Sequence, residues 1–340
     1  MHSEVHADAT QPAGGSDRRP RRPRLIRRRW GERLLFVYPA ATMCCTFSPA
    51  RLSSTLLYAG DAQWNGLYVH VLAYQNTAST SGPNAMILPI PATRIGPQNA
   101  VDTRPFRTFL EDIRQATRRP IPPSYGPPPF AAVGAARAVV FDVGSYAVVL
   151  AESPRAVLSV LGQVPEPKRP AINDRMLQAF EAYYPGWPVA VCCWNGNLQP
   201  EPLLWWYEPR YPEWLFAPAL DAHDGNPPDL RATVEVDHHI AFGSALKPDG
   251  QPVRYRDEAG AHRPLLPSSV HGTELRSRMS NGDFWARRDQ LGGPALRCVP
   301  GDKAGAPIAL NGWEGAPPPW LPPEPMVWNW NPPPPRRVVG

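Results

Sequence analysis

Proline limits what this chain can fold into more than any other residue, because it occupies 46 of the 340 positions. Proline lacks an amide hydrogen and fixes its own φ angle, so it is poorly tolerated inside helices and in central strands. We therefore expect few long helices, many short strands and extensive Pro-rich coil. The order of the predicted elements (strands, a helix, strands, two helices, strands) favours an α+β fold with a mixed or antiparallel β-sheet.

The basic charge of the chain is concentrated near its N-terminus. Residues 1–33 contain nine arginines and four acidic residues, whereas residues 34–340 contain 26 basic and 26 acidic residues. This composition predicts a disordered basic arm over 1–33 that can contact acidic surfaces. The neutral remainder argues against nucleic-acid binding by the folded body, since such binding needs a basic face.

The length of the chain is sufficient for one large domain with a substantial core. We predict a single globular α+β domain over 34–310, followed by a Pro/Trp-rich tail over 311–340. Burial of one indole stabilises a protein by about 2–3 kcal/mol, so we expect the four tryptophans of the tail to pack on the domain. These are Trp313, Trp320, Trp328 and Trp330. The alternative is a free tail that docks onto a partner protein.

Five cysteines occur as two adjacent pairs, Cys44-Cys45 and Cys192-Cys193, and the single Cys298. The odd count and the lack of a CxxC or zinc-binding spacing favour reduced, buried thiols in a cytoplasmic protein. The most apolar run, 34–41, is far shorter than the roughly 20 residues of a membrane-spanning helix. Secretion is the alternative, because an arginine-rich arm before an apolar segment resembles part of a signal peptide.

Sequence patterns predict many short strands and three helices. The runs 56–60 and 67–74 flank Asn65-Gly66, which predicts a hairpin. The prolines of 85–91 predict an edge or terminal strand. Two strands joined by a turn are expected over 138–150, and single strands over 189–194, 203–207, 215–220 and 232–242. Helices are expected over 104–117, 155–161 and 174–183, and the chain beyond Lys247 shows no regular pattern.

The segment 230–243, LRATVEVDHHIAFG, carries the densest group of chemically active side chains. Side chains alternate between the two faces of a strand. One face is therefore formed by Val234, Val236, His238, Ile240 and Phe242, and the other by Glu235, Asp237 and His239. A turn just upstream adds Asp221, His223 and Asp224, so a functional site is most expected here.

Several short motifs follow one another in a distinctive order. They are Met43-Cys44-Cys45 with Phe47, AMILPIP over 85–91, Val143-Gly144-Ser145, and Asp221-Ala222-His223-Asp224-Gly225 before Asp237-His238. In these motifs the chain resembles an uncharacterised bacterial protein family that opens with Met-Cys-Cys and carries His-x-His-Asp-Gly before Asp-His. Asp221 stands where that family has the first histidine. The resemblance covers residues 43–243, implies no activity, cofactor or partner, and makes Met43, as well as Met1, a candidate natural start.

Imidazole and carboxylate groups are ligands for zinc and other divalent transition metals. We therefore predict a metal site formed by His223, Asp224, Asp237 and His238, with Asp237 and His239 as catalytic residues for acid–base chemistry. Asp221 and Glu235 are further candidates. The competing interpretation is structural. Glu235, Asp237 and His239 then form the solvated face of a strand, His238 is a core residue, and the turn at His223 is ordinary turn chemistry.

Cys44 is a further candidate catalytic residue. If the chain begins at Met43 and that methionine is removed, Cys44 combines a thiol with a terminal amine, as in N-terminal nucleophile hydrolases. A buried, unreactive thiol is the alternative interpretation.

Aromatic residues form the last candidate surface. They are Trp187, Trp194, Trp205, Trp206, Tyr207, Tyr211 and Trp214. Such rings can bind sugars or bases, but aromatic residues on strands usually belong to the core. Walker, GxGxxG, GxSxG and HExxH motifs are absent from the sequence. Two functions remain: a metal-assisted or acid–base hydrolase that uses the His/Asp cluster, or a non-catalytic binding or structural protein with an aromatic contact surface.

Overall fold

The computed structural model describes residues 44–118, 138–300 and 306–310. Within these residues the chain forms sixteen strands in three sheets and two α-helices. The fold is rich in sheet and its helices are few and short, as the proline content predicts. The α+β label and the domain limits at residues 33 and 310 stay predictions. The basic arm and the Pro/Trp-rich tail lie outside the described residues.

The hairpin predicted at Asn65-Gly66 is confirmed and is longer than expected. It joins β2 (Arg51–Trp64) to β3 (Leu67–Ser79). Asn65 and Gly66 have φ angles of 54° and 75°. Two consecutive residues with positive φ give a turn whose twist matches that of the flanking strands, which is why Asn-Gly is favoured there.

This hairpin forms the centre of a seven-stranded sheet. On its other side β2 pairs in parallel with β11 (Thr233–Gly243), whereas the other pairs of this sheet are antiparallel. Beyond β11 lie β13 (Ser269–Ser280) and β12 (Gln251–Pro252). Beyond β3 lie β9 (Leu203–Pro209) and β5 (Ala92–Arg94). The sheet is therefore mixed, and it contains the strands predicted over 203–207 and 232–242.

Two smaller sheets are antiparallel. The first has the order β1 (Cys45–Thr46), β4 (Pro83–Pro89), β8 (Val189–Asn195), β7 (Tyr146–Ala151) and β6 (Val139–Val143). The second has the order β10 (Trp214–Ala217), β14 (Asp283–Arg287), β15 (Ala295–Cys298) and β16 (Ala306–Ile308). The predicted edge strand, β4, has a neighbour on each side, but β1 covers only two of its residues.

The helices match the predictions only in part. Helix α2 (Asp174–Tyr183) has the predicted limits. The segment 104–117 instead forms a 3₁₀ turn over Arg104–Phe106 and then α1 (Phe109–Arg118). The segment 155–161 lies in two 3₁₀ turns rather than an α-helix, because so short a segment gains little from α-helical nucleation. No helix of the described residues is long and apolar enough to cross a membrane.

The prediction of an irregular chain beyond Lys247 is wrong. Strands β12 to β16 all lie there, and β13 alone has 12 residues. Its sequence, SVHGTELRSRMS, contains few large apolar side chains. Only three of its residues, 270–272, are buried. Apolar alternation is the main sequence signal for a strand. A strand that is mostly exposed or lines a polar surface does not produce that signal.

Three apolar clusters arrange these elements in layers. One face of the seven-stranded sheet packs against α1, with Val71 and Ile113 in the same cluster. The opposite face packs against the two smaller sheets, where Trp205 belongs to the shared core. The five-stranded sheet packs its other face against α2, with Val149 and Phe180 in the same apolar cluster. Helix α1 therefore covers the outer face of β2 and β11.

Candidate functional site

Strand β11 places its two histidines on opposite faces of the seven-stranded sheet. His238 shares a face with Val236 and Ile240, which pack between the sheets. His239 points toward α1, where its Nε2 atom lies 2.7 Å from the hydroxyl oxygen of Thr117. The predicted alternation is confirmed, but the predicted solvated face is wrong at His239, which is buried because α1 covers this part of the strand.

Burial keeps both imidazoles neutral at physiological pH. It lowers the pKa of His238 and of His239 to about 3, and nearby arginines lower both values further. Neither ring nitrogen of His238 makes a hydrogen bond of good geometry with the protein. The Asp237 carbonyl favours the protonated form of His238, whereas the charge of His223 opposes it. Neither imidazole can therefore donate a proton as a general acid near pH 7.

The turn upstream of β11 uses its polar side chains locally. The Nε2 atom of His223 contacts the Oδ1 atom of Asp221. The Asp224 carboxylate accepts hydrogen bonds from the backbone amide of Asn226 at 2.9 Å and from its side chain at 2.8 Å. Gly225 follows with a φ of 81°. These bonds are typical of a tight turn rather than of a metal site.

The predicted metal ligands are not gathered into one group. Among the residues that the structure describes, no three or more His, Cys, Asp or Glu side chains are arranged to hold a metal ion. Asp237 and His238 are consecutive on a strand and so point to opposite faces. Asp237 instead pairs with Arg276 on β13, with 3.5 Å between Oδ1 and Nε. His223 and Asp224, the other two predicted ligands, belong to the turn just described.

Cys44 lies in an environment that suppresses thiolate formation. It is buried, and its thiol contacts the hydroxyl of Tyr74. Burial raises the pKa of this thiol to about 12. Because the thiolate is the nucleophilic form of cysteine, this environment argues against the predicted N-terminal nucleophile. The other described cysteines are also free of disulfide bonds: Cys45, Cys192, Cys193 and Cys298.

The aromatic residues predicted as a contact surface lie in the core or partly within it. Trp205 and Trp206 belong to different apolar clusters, so they occupy opposite faces of β9 as expected. Trp187 packs against Tyr211, with ring centres 5.8 Å apart. The buried members are Trp187, Trp194, Trp205, Trp206 and Tyr207, and the partly buried ones are Tyr211 and Trp214. These rings therefore stabilise the packing of the sheets.

A polar cleft with a volume of about 440 Å³ opens between α1 and the seven-stranded sheet. One wall consists of Arg107, Thr108, Glu111 and Arg114. The sheet contributes Ser54, Thr55, Leu56, Gln75, Asn76, Thr77, Asp237, His238, His239, Glu274 and Arg276, and loops add Gln199 and Arg256. Leu56 is the single aliphatic residue of this lining, which contains no Phe, Tyr or Trp. We call this site the polar cleft.

An irregularity in β2 shapes the sheet side of the polar cleft. The pairing of β2 with β3 shifts between Ser53 and Leu56, and Ser54 has a φ of 55°, in the left-handed region. A bulge of this kind bends a strand and redirects its side chains, and it is frequent beside functional sites. Nearby, the buried Oδ1 atom of Asn76 has no hydrogen-bond partner in the protein.

Ion pairs neutralise the charges at the end of the cleft formed by α1 and β13. Arg114 binds Glu111 with 2.7 Å between Nε and Oε2, and its Nη1 atom lies 3.4 Å from Glu274. Arg118, one helical turn further on, also contacts Glu274. The two arginines and the two carboxylates therefore balance one another.

The other arginines of the cleft differ in their pairing. Arg256 binds the buried Asp112 carboxylate at 2.5 Å. Arg276 is paired with Asp237. Arg107 is exposed and makes no hydrogen bond or ion pair with the described part of the chain. Among the described residues, the Arg107 guanidinium thus has no acidic partner within ion-pair distance.

Sequence reasoning identified one side of this site and missed the other. Asp237, His238 and His239 do line the polar cleft. The opposite wall has a signal of its own, because Arg107, Glu111 and Arg114 recur at intervals that share one helical face. The same spacing occurs on any solvated helix, so it indicates a cleft wall only when the position of the sheet opposite the helix is known.

A second buried polar group lies outside the polar cleft, on β14. Asp283 accepts hydrogen bonds from the Tyr184 hydroxyl at 2.6 Å and from the Ala219 amide at 2.7 Å. Burial raises the pKa of this carboxyl to about 6, although these hydrogen bonds and the charge of Arg297 oppose the rise. Arg297 is itself buried, 4.4 Å from the centre of the Phe284 ring. This group holds the four-stranded sheet against α2.

No protein-family model matches the chain, and no curated protein matches it. Among solved structures, the chain is similar to the crystal structure of baculovirus P35, with a TM-score of 0.34 and 12% sequence identity. The match covers 72% of this chain and 91% of that chain. A similarity at this level does not establish a shared fold or function.

Proposed function

We propose that this protein binds a small polar molecule in the polar cleft and holds it without transforming it. The observation that best supports this proposal is the cavity of about 440 Å³ already present between α1 and the seven-stranded sheet. Pockets for small molecules generally measure about 300–1,000 Å³. The cleft is thus large enough for a ligand of the size of a monosaccharide or an amino acid.

The lining of the cleft favours a polar ligand over an apolar one. Hydroxyl and amide groups line it beside the charged side chains, and its sheet residues are held by paired strands. Among these groups, Ser54 and Thr77 are exposed and Gln75 is half-buried, so a ligand in the cleft can reach them. Their hydroxyl and amide groups can form hydrogen bonds with a polar ligand.

The alternative, a metal-assisted or acid–base hydrolase built on Asp237, His238 and His239, has weaker support. A general acid or base works best when its pKa lies near the working pH. Burial instead lowers the pKa of both imidazoles to about 3. The Asp237 carboxylate is already paired with Arg276. These environments suit fixed, neutral hydrogen-bonding groups better than proton transfer.

Filling the polar cleft should abolish ligand binding. Thr77→Trp places an indole at an exposed position that lines the cleft. Thr93→Trp places the same side chain at an exposed threonine of β5 outside the cleft and serves as the control. In a thermal-shift screen of sugars, polyols, amino acids and organic acids, we expect compounds that raise the Tm of the wild type and of T93W but not that of T77W.

Two results would contradict this proposal. The first is a screen in which no compound stabilises the wild type, and the second is a set of compounds that stabilise T77W equally well. Chemical conversion is tested separately, by NMR spectra of each bound compound after prolonged incubation. We expect the compound to be recovered unchanged, whereas a new product would favour the hydrolase.

A further inference from the structure

We infer that the molecule bound in the polar cleft is a small polyhydroxylated compound with one anionic group, a carboxylate or a phosphate, and that Arg107 receives this group. The inference rests on the proposed function, because it concerns the same cleft. It combines three features of the lining: the charge left after ion pairing, the lack of large aromatic rings, and the neutral hydrogen-bonding groups on the sheet.

The charge argument concerns Arg107. Every other arginine of the cleft has a carboxylate partner among the described residues, and Arg107 has none. Hydrogen bonds from its own backbone amide and from Ser145 lower the pKa of Glu201 more than the charge of Arg107 does. The pKa of Asp257 is lowered first by hydrogen bonds from Thr108, then by the charge of Arg256, and only then by that of Arg107. A guanidinium with all its donors available is well suited to a carboxylate or a phosphate.

The same charges limit the ligand to one anionic group. Glu111, Glu274 and Asp237 line the cleft, and each is already matched by an arginine. A second anionic group would have to displace one of these carboxylates or lie beside it, and like charges at close range repel each other. A compound with a single anionic group meets Arg107 without breaking an existing ion pair.

The remainder of the lining favours hydroxyl groups on the ligand. Planar bases and other aromatic ligands are usually held by stacking on aromatic side chains, and the lining contains no Phe, Tyr or Trp. The sheet instead offers hydroxyl and amide groups of Ser54, Gln75 and Thr77. These groups both donate and accept hydrogen bonds, which matches the dual character of an alcohol.

Calorimetric titration of the full-length protein with matched probes tests this inference. The neutral probes are sorbitol and D-glucose, and the anionic probes are D-gluconate and D-glucose 6-phosphate. Acetate and inorganic phosphate test the anion alone. The variant is Arg107→Gln, at an exposed position where folding should not be affected. Arg107→Lys keeps the charge, and Arg94→Gln removes one positive charge from an exposed position outside the cleft.

We expect at least one anionic probe to bind tenfold or more tightly than its neutral counterpart. This preference should disappear in R107Q, persist in part in R107K and remain unchanged in R94Q. Acetate and inorganic phosphate should bind more weakly than the whole probes. Which probe binds better, gluconate or glucose 6-phosphate, distinguishes a carboxylate ligand from a phosphate ligand.

Other outcomes would overturn the inference. Equal binding of neutral and anionic probes, or a preference that survives in R107Q, would show that Arg107 does not receive an anion. Equal binding of inorganic phosphate and glucose 6-phosphate would show that the cleft does not recognise hydroxyl groups of the ligand. If no probe binds although the thermal-shift screen finds ligands sensitive to T77W, the inference fails and the proposed function stands. If that screen also fails, both are wrong.

Discussion

At the scale of single residues, burial decides what the two consecutive histidines of β11 can do. Imidazole side chains commonly bind metals or transfer protons, yet these two are buried by the sheets and by α1. An imidazole without hydration is hard to protonate, so each behaves as a neutral polar group. The difference between them lies in their partners: His239 reaches the Thr117 hydroxyl, and His238 has no well-placed partner.

This difference predicts opposite effects of one substitution at neighbouring positions. His239→Leu removes a buried hydrogen bond to the Thr117 hydroxyl, which keeps its bond to the Arg114 carbonyl, so the free energy of unfolding should fall by about 0.5–1.5 kcal/mol. His238→Leu removes only unsatisfied nitrogens, so at pH 7.5 stability should be unchanged or rise by up to about 1 kcal/mol. Urea denaturation of both variants measures this. Equal destabilisation would mean that His238 has a partner, such as a bound water.

The sequence was sufficient to find the residues of one cleft wall but not their roles. Asp237, His238 and His239 stand out because polar, titratable side chains are rare on a strand that is otherwise apolar. The burial of His239 depends on α1, which lies more than a hundred residues earlier in the sequence, and that of His238 depends on the smaller sheets. Local pattern carries no information on such a contact. For the same reason, the ion pair between Asp237 and Arg276 could not be predicted without knowing that β13 exists.

At the scale of elements, α2 shows how a single capping residue links a helix to a distant turn. The Asn173 side chain accepts a hydrogen bond from the Arg175 amide at 2.9 Å and so caps the helix. Its Nδ2 atom also donates to the Gly225 carbonyl at 2.7 Å. One amide side chain therefore fixes both the first turn of α2 and the turn that follows His223.

The two roles of Asn173 can be separated by substitution. Asn173→Ala removes both bonds and should cost about 1–2 kcal/mol of unfolding free energy. Asn173→Ser retains an oxygen that can cap the helix but lacks the Nδ2 donor, so it should restore roughly half of the loss. Thermal and urea denaturation compare the two variants. A serine variant no more stable than the alanine variant would show that the cap contributes little.

Elements defined by strong local chemistry were predictable. The Asn65-Gly66 turn, the cap of α2 and the apolar runs of β8 and β9 all carry their signal within a few residues. Elements that depend on distant partners were not. β13 is a strand because β11 supplies its ladder along ten residue pairs, and little in its own composition reveals this. Near Pro154 the sequence likewise has the features of a helix start, but the chain forms 3₁₀ turns there and no α-helix follows.

At the scale of the whole molecule, buried titratable groups couple stability to pH. Burial lowers the pKa of His70, His238 and His239 from 6.5 to about 3. The unfolded chain therefore binds more protons than the folded one between these limits, so their contribution is complete above pH 6.5 and is lost as the pH falls. Asp283 acts in the opposite direction, because its pKa is raised from 3.8 to about 6.

We expect the protein to lose stability on mild acidification. Each buried histidine can cost up to about 2 kcal/mol between pH 7.5 and pH 5, and Asp283 offsets about 1 kcal/mol of this, which leaves a net loss of up to about 4–5 kcal/mol. Urea denaturation at a series of pH values measures the loss. The curve of His238→Leu should be shallower, since one of the three groups is absent. Identical slopes in the wild type and the variant would contradict this assignment.

The parallel pairing of β2 with β11 has a consequence for synthesis of the chain on the ribosome. β2 and β3 can form their hairpin as soon as residues 51–79 have emerged, because their pairing is local. The second neighbour of β2 is residues 238–243 of β11, which are translated much later. Until then one edge of an apolar strand has no partner, and open edges attract other strands. Nascent chains of this protein should therefore depend on chaperones for most of their translation.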